Sequence, residues 1–132
     1  MSAPRWSVEG QGWPHADHSH FVKAGGIDWH VQVMGAGPVL LLVHGTASAT
    51  HSWRDLMPLL AHHFTVIAPD LPGHGFTSAL ARPTPAGVAG ALAALLAALA
   101  LRPALTVGHS AGAAIALTMA DRQLVRPQAI VS

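Results

Sequence analysis

Five consecutive apolar residues, Val39–Val43, constrain the fold of this chain more than any other stretch. A strand with one face in water alternates apolar and polar residues, whereas a strand covered by helices on both faces is apolar throughout. We predict two further strands over residues 64–68 and 104–107, with helical segments between the strands. Strands that alternate with helices are typical of a parallel sheet joined by right-handed crossovers. The sequence therefore predicts an α/β fold with a mostly parallel sheet flanked by helices.

The residues around these strands complete the expected organisation. Residues 1–20 are rich in Trp, His, Gly and Pro and lack periodicity, so we expect an irregular N-terminal arm. Residues 21–23 and 27–34 are typical of two strands joined by a turn of two glycines, and a further strand begins at 129–131. We therefore expect an arm over residues 1–20 and one α/β unit over residues 21–132.

Two helices are predicted from signals at their ends. Ser52 followed by Asp55 resembles a capping box, so we expect a helix to begin near His51. A second helix is expected from Ala111 to about Asp121.

The uncharged run 83–101 is long enough to cross a bilayer. However, two prolines lie at its start, two glycines follow, and its leucines form one helical stripe: Leu92, Leu95, Leu96 and Leu99. We expect an amphipathic helix docked on the sheet and, at most, peripheral contact with a membrane.

Composition excludes several classes of protein. Lys and Arg number 7 and Asp and Glu 6, so the basic excess that phosphate binding requires is missing and we expect no nucleic-acid partner. The chain has no cysteine, which excludes disulfides, thiolate metal sites and cysteine nucleophiles. Its first residues lack the apolar segment of a secretory signal, and we expect a cytoplasmic protein.

Ten histidines raise the question of a metal site. His15, His18 and His20 lie on the predicted arm, and His62 and His63 adjoin a predicted strand. Zinc sites commonly combine histidine with cysteine, aspartate or glutamate ligands. Near these histidines the sequence has no cysteine and few carboxylates. We expect surface histidines, with no metal and no bound cofactor.

Residues 108–112, Gly-His-Ser-Ala-Gly, fit the pattern G-x-S-x-G between a predicted strand and a predicted helix. So sharp a turn strains the backbone at Ser110 and leaves no room for side chains at Gly108 and Gly112. The serine hydroxyl would stand at the carboxyl end of its strand, where open parallel sheets bind ligands. Ser110 is therefore the candidate nucleophile, and His109 is a candidate pocket residue.

A second motif, residues 44–47, directly follows the first buried strand. A loop here can aim a backbone N–H at the oxygen that becomes negative when an ester is attacked, and the N–H of Ala111 would be the second donor. A glycine turn that only leads from strand to helix is the alternative. We expect His44 to brace this loop, with Gly45 as its turn residue.

A third motif covers residues 70–77. The glycines that flank His74 permit tight turns near the carboxyl edge of the sheet, and Asp70 can cap backbone amides there. We interpret this motif as scaffold.

These three motifs, in this order and spacing, resemble the α/β-hydrolase superfamily over residues 21–132. The resemblance implies Ser110 as nucleophile and the backbone N–H groups of Thr46 and Ala111 as the oxyanion hole. A serine at this turn is unlike the epoxide-hydrolase and haloalkane-dehalogenase branches, which place an aspartate there. Thr77 stands where many relatives have serine.

Longer stretches resemble one group more closely, the magnesium-chelatase accessory proteins of bacteriochlorophyll biosynthesis in photosynthetic bacteria. They are GPVLLLVHGTASATHSWRDLMPLL, HFTVIAPDLPGHGFT, PALTVGHSAGAAIA and the N-terminal WPHADHSHFVKAGGIDWHVQVMGAGP. The resemblance implies a role in the pathway that inserts magnesium into protoporphyrin, with magnesium chelatase as partner and an ester-like or porphyrin-related small molecule as substrate. A general serine esterase or amidase, and a non-enzymatic porphyrin- or chelatase-binding module, stay open as alternatives.

A serine nucleophile needs an acid and a histidine, which follow the serine in this superfamily. After Ser110 the chain holds one acidic side chain, Asp121, and no histidine. Asp121 would stand roughly 16 Å along the helix from Ser110, too far for a hydrogen-bonded relay. We therefore expect the acid and the base to lie outside this chain, and the chain to be the N-terminal half of a truncated domain. Alone, it is expected to be inactive and, with an open strand edge, poorly soluble.

Overall fold

The computed structural model describes residues 4–132. Within them the strands are Ser19–Ala24 (β1), Ile27–Met34 (β2), Val39–Val43 (β3), Thr65–Pro69 (β4), Leu105–Gly108 (β5) and Ala129–Val131 (β6). They form one sheet in the order β1-β2-β4-β3-β5-β6. β1 and β2 form an antiparallel hairpin and β2 is antiparallel to β4, whereas β3 pairs in parallel with β4 and β5, and β5 with β6. The predicted α/β fold with a mostly parallel sheet is confirmed.

The helices are α1 (Trp6–Glu9), α2 (Leu56–Leu60), α3 (Pro85–Ala98) and α4 (Ala111–Asp121), with 3₁₀ helices at Ala16–His18 and Thr50–Trp53. α4 has the predicted bounds. The stretch that we expected to be an irregular arm carries α1 and one 3₁₀ helix, and β1 begins at Ser19 within it. Residues 1–3 of that predicted arm lie outside the described residues.

The central strand β3 serves two hydrophobic cores, which explains why it is apolar throughout. Leu41 and Val43 pack into the core on the side of α3 and α4. Leu40 and Leu42 face the opposite side, where they pack with Met57 of α2. Each of these five side chains is at most 3% exposed.

Helix α3 lies on the sheet with its leucine stripe inward. Three stripe residues are buried and the fourth is partly buried: Leu92, Leu95, Leu96 and Leu99. The helix begins after Thr84, whose Oγ1 accepts the N–H of Gly87 at 3.0 Å as an N-cap. It is 14 residues long, and among residues 4–132 no helix is both long and apolar enough to cross a membrane.

The predicted capping box at Ser52 and Asp55 is wrong. Thr50–Trp53 forms a 3₁₀ helix, and α2 begins only at Leu56, with Asp55 making no side-chain cap bond. Pro58 explains the late start, because a proline deep in a helix removes a backbone hydrogen bond and clashes with the carbonyl four residues earlier. A start at Leu56 places Pro58 in the first turn, where proline is tolerated.

Candidate active site

Ser110 lies at the sharp turn between β5 and α4, beyond the carboxyl end of β5. Its backbone has φ +58° and ψ −120°, a strained conformation for a residue with a side chain. The N–H of His109 donates to the carbonyl oxygen of Val43 at 3.0 Å, which ties the turn to the neighbouring strand β3. Ser110 is exposed, so a ligand has access to it.

Two glycines leave room for this turn. A Cβ atom at Gly108 would lie 2.6 Å from Cα of Ala113, and a Cβ atom at Gly112 would overlap the carbonyl oxygen of Val43. Backbone atoms cannot move aside as the end of a flexible side chain can. Both positions therefore require glycine.

The loop after β3 packs against the Ser110 turn. A Cβ atom at Gly45 would lie 3.1 Å from Cβ of Ser110 and 3.0 Å from the carbonyl oxygen of His109. Thr46, the next residue, is exposed. Ala111 is the first residue of α4, so its N–H has no acceptor within the helix. The structure thus places the loop of Thr46 beside Ser110 and Ala111 at the carboxyl edge of the sheet.

His44 is buried and is held through both ring nitrogens. Nδ1 donates to the carbonyl oxygen of Gly45 at 2.7 Å, and Nε2 accepts the N–H of Leu71 at 2.9 Å, which defines one neutral tautomer. Burial lowers the pKa of His44, the bond to Gly45 opposes this, and the neighbouring His74 lowers the pKa further. As a neutral ring, His44 connects the loop of Gly45 to the loop of Leu71.

Asp70, directly after β4, is fully buried and holds three segments together. Its Oδ1 accepts the N–H of Thr50 at 2.8 Å, and its Oδ2 accepts the N–H of Phe76 at 2.9 Å. Nδ1 of His30 also lies 2.7 Å from Oδ2. The prediction that Asp70 caps backbone amides is confirmed.

His30 is a buried polar residue that the sequence pattern does not predict. It alternates with apolar residues along β2, as a solvent-facing residue would, yet it is fully buried. Three aromatic rings surround it at centroid distances of 4.9 to 5.4 Å: Trp6, Phe21 and Phe76. The ring of Trp13 lies slightly farther away, at 6.3 Å, and its Nε1 donates to Oγ1 of Thr50 at 2.9 Å. Rings from the arm, from β1 and from the loop after β4 bury His30 together, and no local sequence pattern reports that these segments converge.

A cavity of about 200 Å³ opens beside the Ser110 turn. Thr46 and Ala111 line it, together with His74 and with apolar residues that include Leu71, Val88 and Ile115. A larger cavity of about 740 Å³ lies at the opposite edge of the sheet, around the loops that lead into β5 and β6. Because open parallel sheets bind ligands at the carboxyl edge, the smaller cavity is the candidate ligand site.

The remaining predicted residues lie apart from this cavity. His109 is exposed beside Ser110 but is not in the cavity wall, so its place in a pocket stays a prediction. Asp121 ends α4, about three turns from the serine. His15 contacts the backbone, with Nε2 2.7 Å from the carbonyl oxygen of Arg54. In the part of the chain that the structure describes, no three His, Cys, Asp or Glu side chains are grouped as metal ligands would be.

The sheet order and the strand–turn–helix at Ser110 match a known family. The family model described as the alpha/beta hydrolase fold matches residues 38–132. The chain belongs to this family.

Individual relatives refine the comparison. The chain is 43% identical over 112 residues to the magnesium-chelatase 30 kDa subunit of Rhodobacter capsulatus, covering 82% of this chain and 39% of that protein. It is 38% identical over 118 residues to a 2-hydroxy-6-oxo-2,4-heptadienoate hydrolase of Pseudomonas putida, covering 82% of this chain and 41% of the relative. The family match confirms the predicted resemblance to the α/β-hydrolase superfamily, and the Rhodobacter capsulatus relative confirms the predicted resemblance to a magnesium-chelatase protein.

Solved structures agree on the fold. The crystal structure of an epoxide hydrolase from Vigna radiata superposes with a TM-score of 0.77 at 29% identity, covering 85% of this chain and 38% of that one. Cfl2 of Burkholderia cenocepacia gives a TM-score of 0.80 at 29% identity, with 85% and 39% covered. The chain therefore spans about two fifths of the length of the relatives it matches.

Proposed function

We propose that this chain carries the nucleophile and the oxyanion donors of a serine-hydrolase site, in a protein of bacteriochlorophyll biosynthesis that is accessory to magnesium chelatase. One observation carries the catalytic part: Ser110 is held at φ +58° at the start of α4, with the loop of Gly45 packed against it. A strained, exposed serine at this junction is the arrangement that nucleophilic attack requires.

In the proposed reaction, Oγ of Ser110 attacks the acyl carbon of an ester-like substrate. The carbonyl oxygen becomes negative and is bound by the N–H groups of Thr46 and Ala111, each contributing roughly 3 kcal/mol to transition-state stabilisation. The positive end of the α4 dipole acts in the same direction.

Among residues 4–132, no histidine is hydrogen-bonded to Oγ of Ser110 as a general base would be. Both ring nitrogens of His44 are engaged, and His30 is buried against Asp70. His109 adjoins Ser110 on the sharp turn, where successive side chains project in different directions, so we do not propose it as the base. We propose that the acid and the histidine come from residues outside these 132.

The pathway assignment rests on the relative named magnesium-chelatase 30 kDa subunit. Magnesium chelatase is accordingly the proposed partner, and the proposed substrate is an ester-like or porphyrin-related small molecule. A general esterase or amidase is the second candidate, and the relative named 2-hydroxy-6-oxo-2,4-heptadienoate hydrolase supports hydrolysis only as a general class of reaction. Genes for pigment synthesis beside this gene would favour the first candidate over the second. A non-enzymatic porphyrin- or chelatase-binding module is the third.

Covalent labelling tests the nucleophile. We expect a fluorophosphonate probe to label the complete polypeptide that the gene encodes, and Ser110→Ala to abolish labelling. Alanine tolerates φ +58° no better than serine, so this change leaves the backbone strain as it is. Ser7→Ala, at an exposed serine on α1, is the matched control and keeps full labelling. A folded wild-type protein that stays unlabelled would contradict the proposal and favour the binding module.

A further inference from the structure

The cavity beside Ser110 is bounded by the residues that would hold a reacting carbonyl. Thr46 and Ala111 both line it. A substrate whose carbonyl oxygen is bound by their N–H groups therefore has an adjoining group next to or inside this cavity. This step rests on the proposed function, because it takes those two N–H groups as the oxyanion donors.

The size and the walls of the cavity restrict that group. Its volume is about 200 Å³, and an apolar cavity of about 150 Å³ is known to accept benzene. Leu71, Val88 and Ile115 supply buried apolar surface to the wall. A compact ring or branched chain fits such a space.

His74 also lines this cavity, and its imidazole ring adds nitrogen atoms to a wall that is otherwise largely apolar. Its Nδ1 lies 3.1 Å from the carbonyl oxygen of Pro72, so in the neutral ring this nitrogen carries the proton and donates. The His74 ring also packs on the ring of His44, with centroids 5.1 Å apart. Since Nδ1 is committed to Pro72, Nε2 is the nitrogen left to accept a hydrogen bond from a ligand.

We propose that this cavity is a subsite for a compact apolar group that carries a hydroxyl or N–H donor, and that Nε2 of His74 accepts the hydrogen bond from that donor. His74 is then a specificity-determining residue and not only part of the scaffold that the sequence suggested. The donor distinguishes the substrate from an apolar isostere, because a site built to pair with a polar group rejects the analogue that lacks it.

Two activated esters test the proposal on the complete polypeptide. Their acyl groups are para-hydroxyphenylacetyl and para-methylphenylacetyl, which have nearly the same shape and differ in the donor. We expect kcat/KM to favour the hydroxyl ester by about fivefold to tenfold, the range expected for one neutral hydrogen bond. His74→Leu should bring this ratio close to unity, and His74→Gln, which keeps an acceptor, should restore part of it.

The ratio separates recognition from folding, because a variant that is merely less stable lowers both rates together. His62→Leu is the matched control: this histidine is exposed and precedes β4 at the edge of the sheet away from the site, so the ratio should not change. Ala114→Phe tests the space itself, since Ala114 is an exposed helix residue that lines the cavity. It should lower kcat/KM for both aryl esters relative to a third activated ester of the same alcohol, whose acyl group is acetyl.

Failure of the proposed function gives a different result from failure of this inference. If the polypeptide hydrolyses no ester, ligand-observed NMR with para-hydroxyphenylacetamide and para-methylphenylacetamide still measures the preference of the cavity. Binding that favours the hydroxyl amide and loses this preference in His74→Leu supports the subsite without the nucleophile. Hydrolysis with no preference between the two esters, or equal or no binding of the two amides when hydrolysis is absent, overturns the proposal.

Discussion

Replacing Asp70 by asparagine tests whether one carboxylate holds the edge of the sheet together. Its side chain is fully buried, and it accepts three hydrogen bonds, from the N–H groups of Thr50 and Phe76 and from Nδ1 of His30. Asparagine has nearly the same shape but only one oxygen, and its nitrogen can only donate. At least one of the three donors must then face another donor.

The expected cost follows from these contacts. With the amide oxygen in place of Oδ2, the bonds from Phe76 and His30 are kept and the buried N–H of Thr50 loses its acceptor, which costs about 2 kcal/mol. The two kept bonds lose their charged acceptor, which weakens each by about 1 kcal/mol. Asp70→Asn should therefore lower the free energy of unfolding by about 4 kcal/mol, a large part of the roughly 5–15 kcal/mol of an ordinary domain.

Urea unfolding of the complete polypeptide, followed by tryptophan fluorescence, measures this change as a lower midpoint at constant slope. Asp28→Asn is the control, because Asp28 is exposed and meets Lys23 at 3.8 Å in a surface ion pair, so its loss should cost well under about 1 kcal/mol. If Asp70→Asn is destabilised by no more than the control, the reasoning that the carboxylate holds three segments is refuted.

Four further outcomes are expected. Ser110→Gly should abolish fluorophosphonate labelling and raise the urea midpoint. Relief of strain at φ +58° should outweigh the extra flexibility of glycine by about 1 kcal/mol. An unchanged or lower urea midpoint would count against strain at this turn. Gly112→Ala should abolish labelling and destabilise the protein, because the added Cβ atom would overlap the carbonyl oxygen of Val43. Fluorophosphonate labelling and urea unfolding of the same variant test the two effects together. The lowered pKa of His44 means that the unfolded state binds a proton more readily than the folded state. This contribution to stability should therefore be complete above about pH 6.5 and should be lost as the pH drops from there to the folded-state pKa. Wild-type urea midpoints that stay constant across this range would contradict the prediction. The 132-residue chain expressed alone should associate through the outer edge of β6, which has no strand partner among residues 4–132; a monomer in sedimentation with a cooperative melt would refute this.

The sheet could be predicted because its signals are local. The continuous apolar run of β3 records burial on both faces, and the glycine spacing around Ser110 records a turn that admits no side chain at Gly108 or Gly112. The leucine stripe of α3 likewise reports which face packs on the sheet. In each case the pattern of residue types within one short segment is enough to indicate the structure.

The parts that could not be predicted depend on segments distant in sequence. His30 is buried by Trp6, which lies 24 positions earlier, and bonded by Asp70, which lies 40 positions later. The capping-box signal at Ser52 was outweighed by a proline further along the chain, a competition that a four-residue pattern does not contain. The role of His74 depends in the same way on the cavity that two helices and two loops form together.

The position of β3 between β4 and β5 has a consequence for synthesis on the ribosome. Both partners of this strand lie downstream, and the second begins at Leu105, 66 residues after Val39. At a translation rate of roughly 5–20 residues per second, a five-residue apolar segment waits about 3–13 s before both of its edges can be paired. During this time the unpaired edges of β3 are open to chaperones and to aggregation, so translation speed is expected to affect the yield of folded protein.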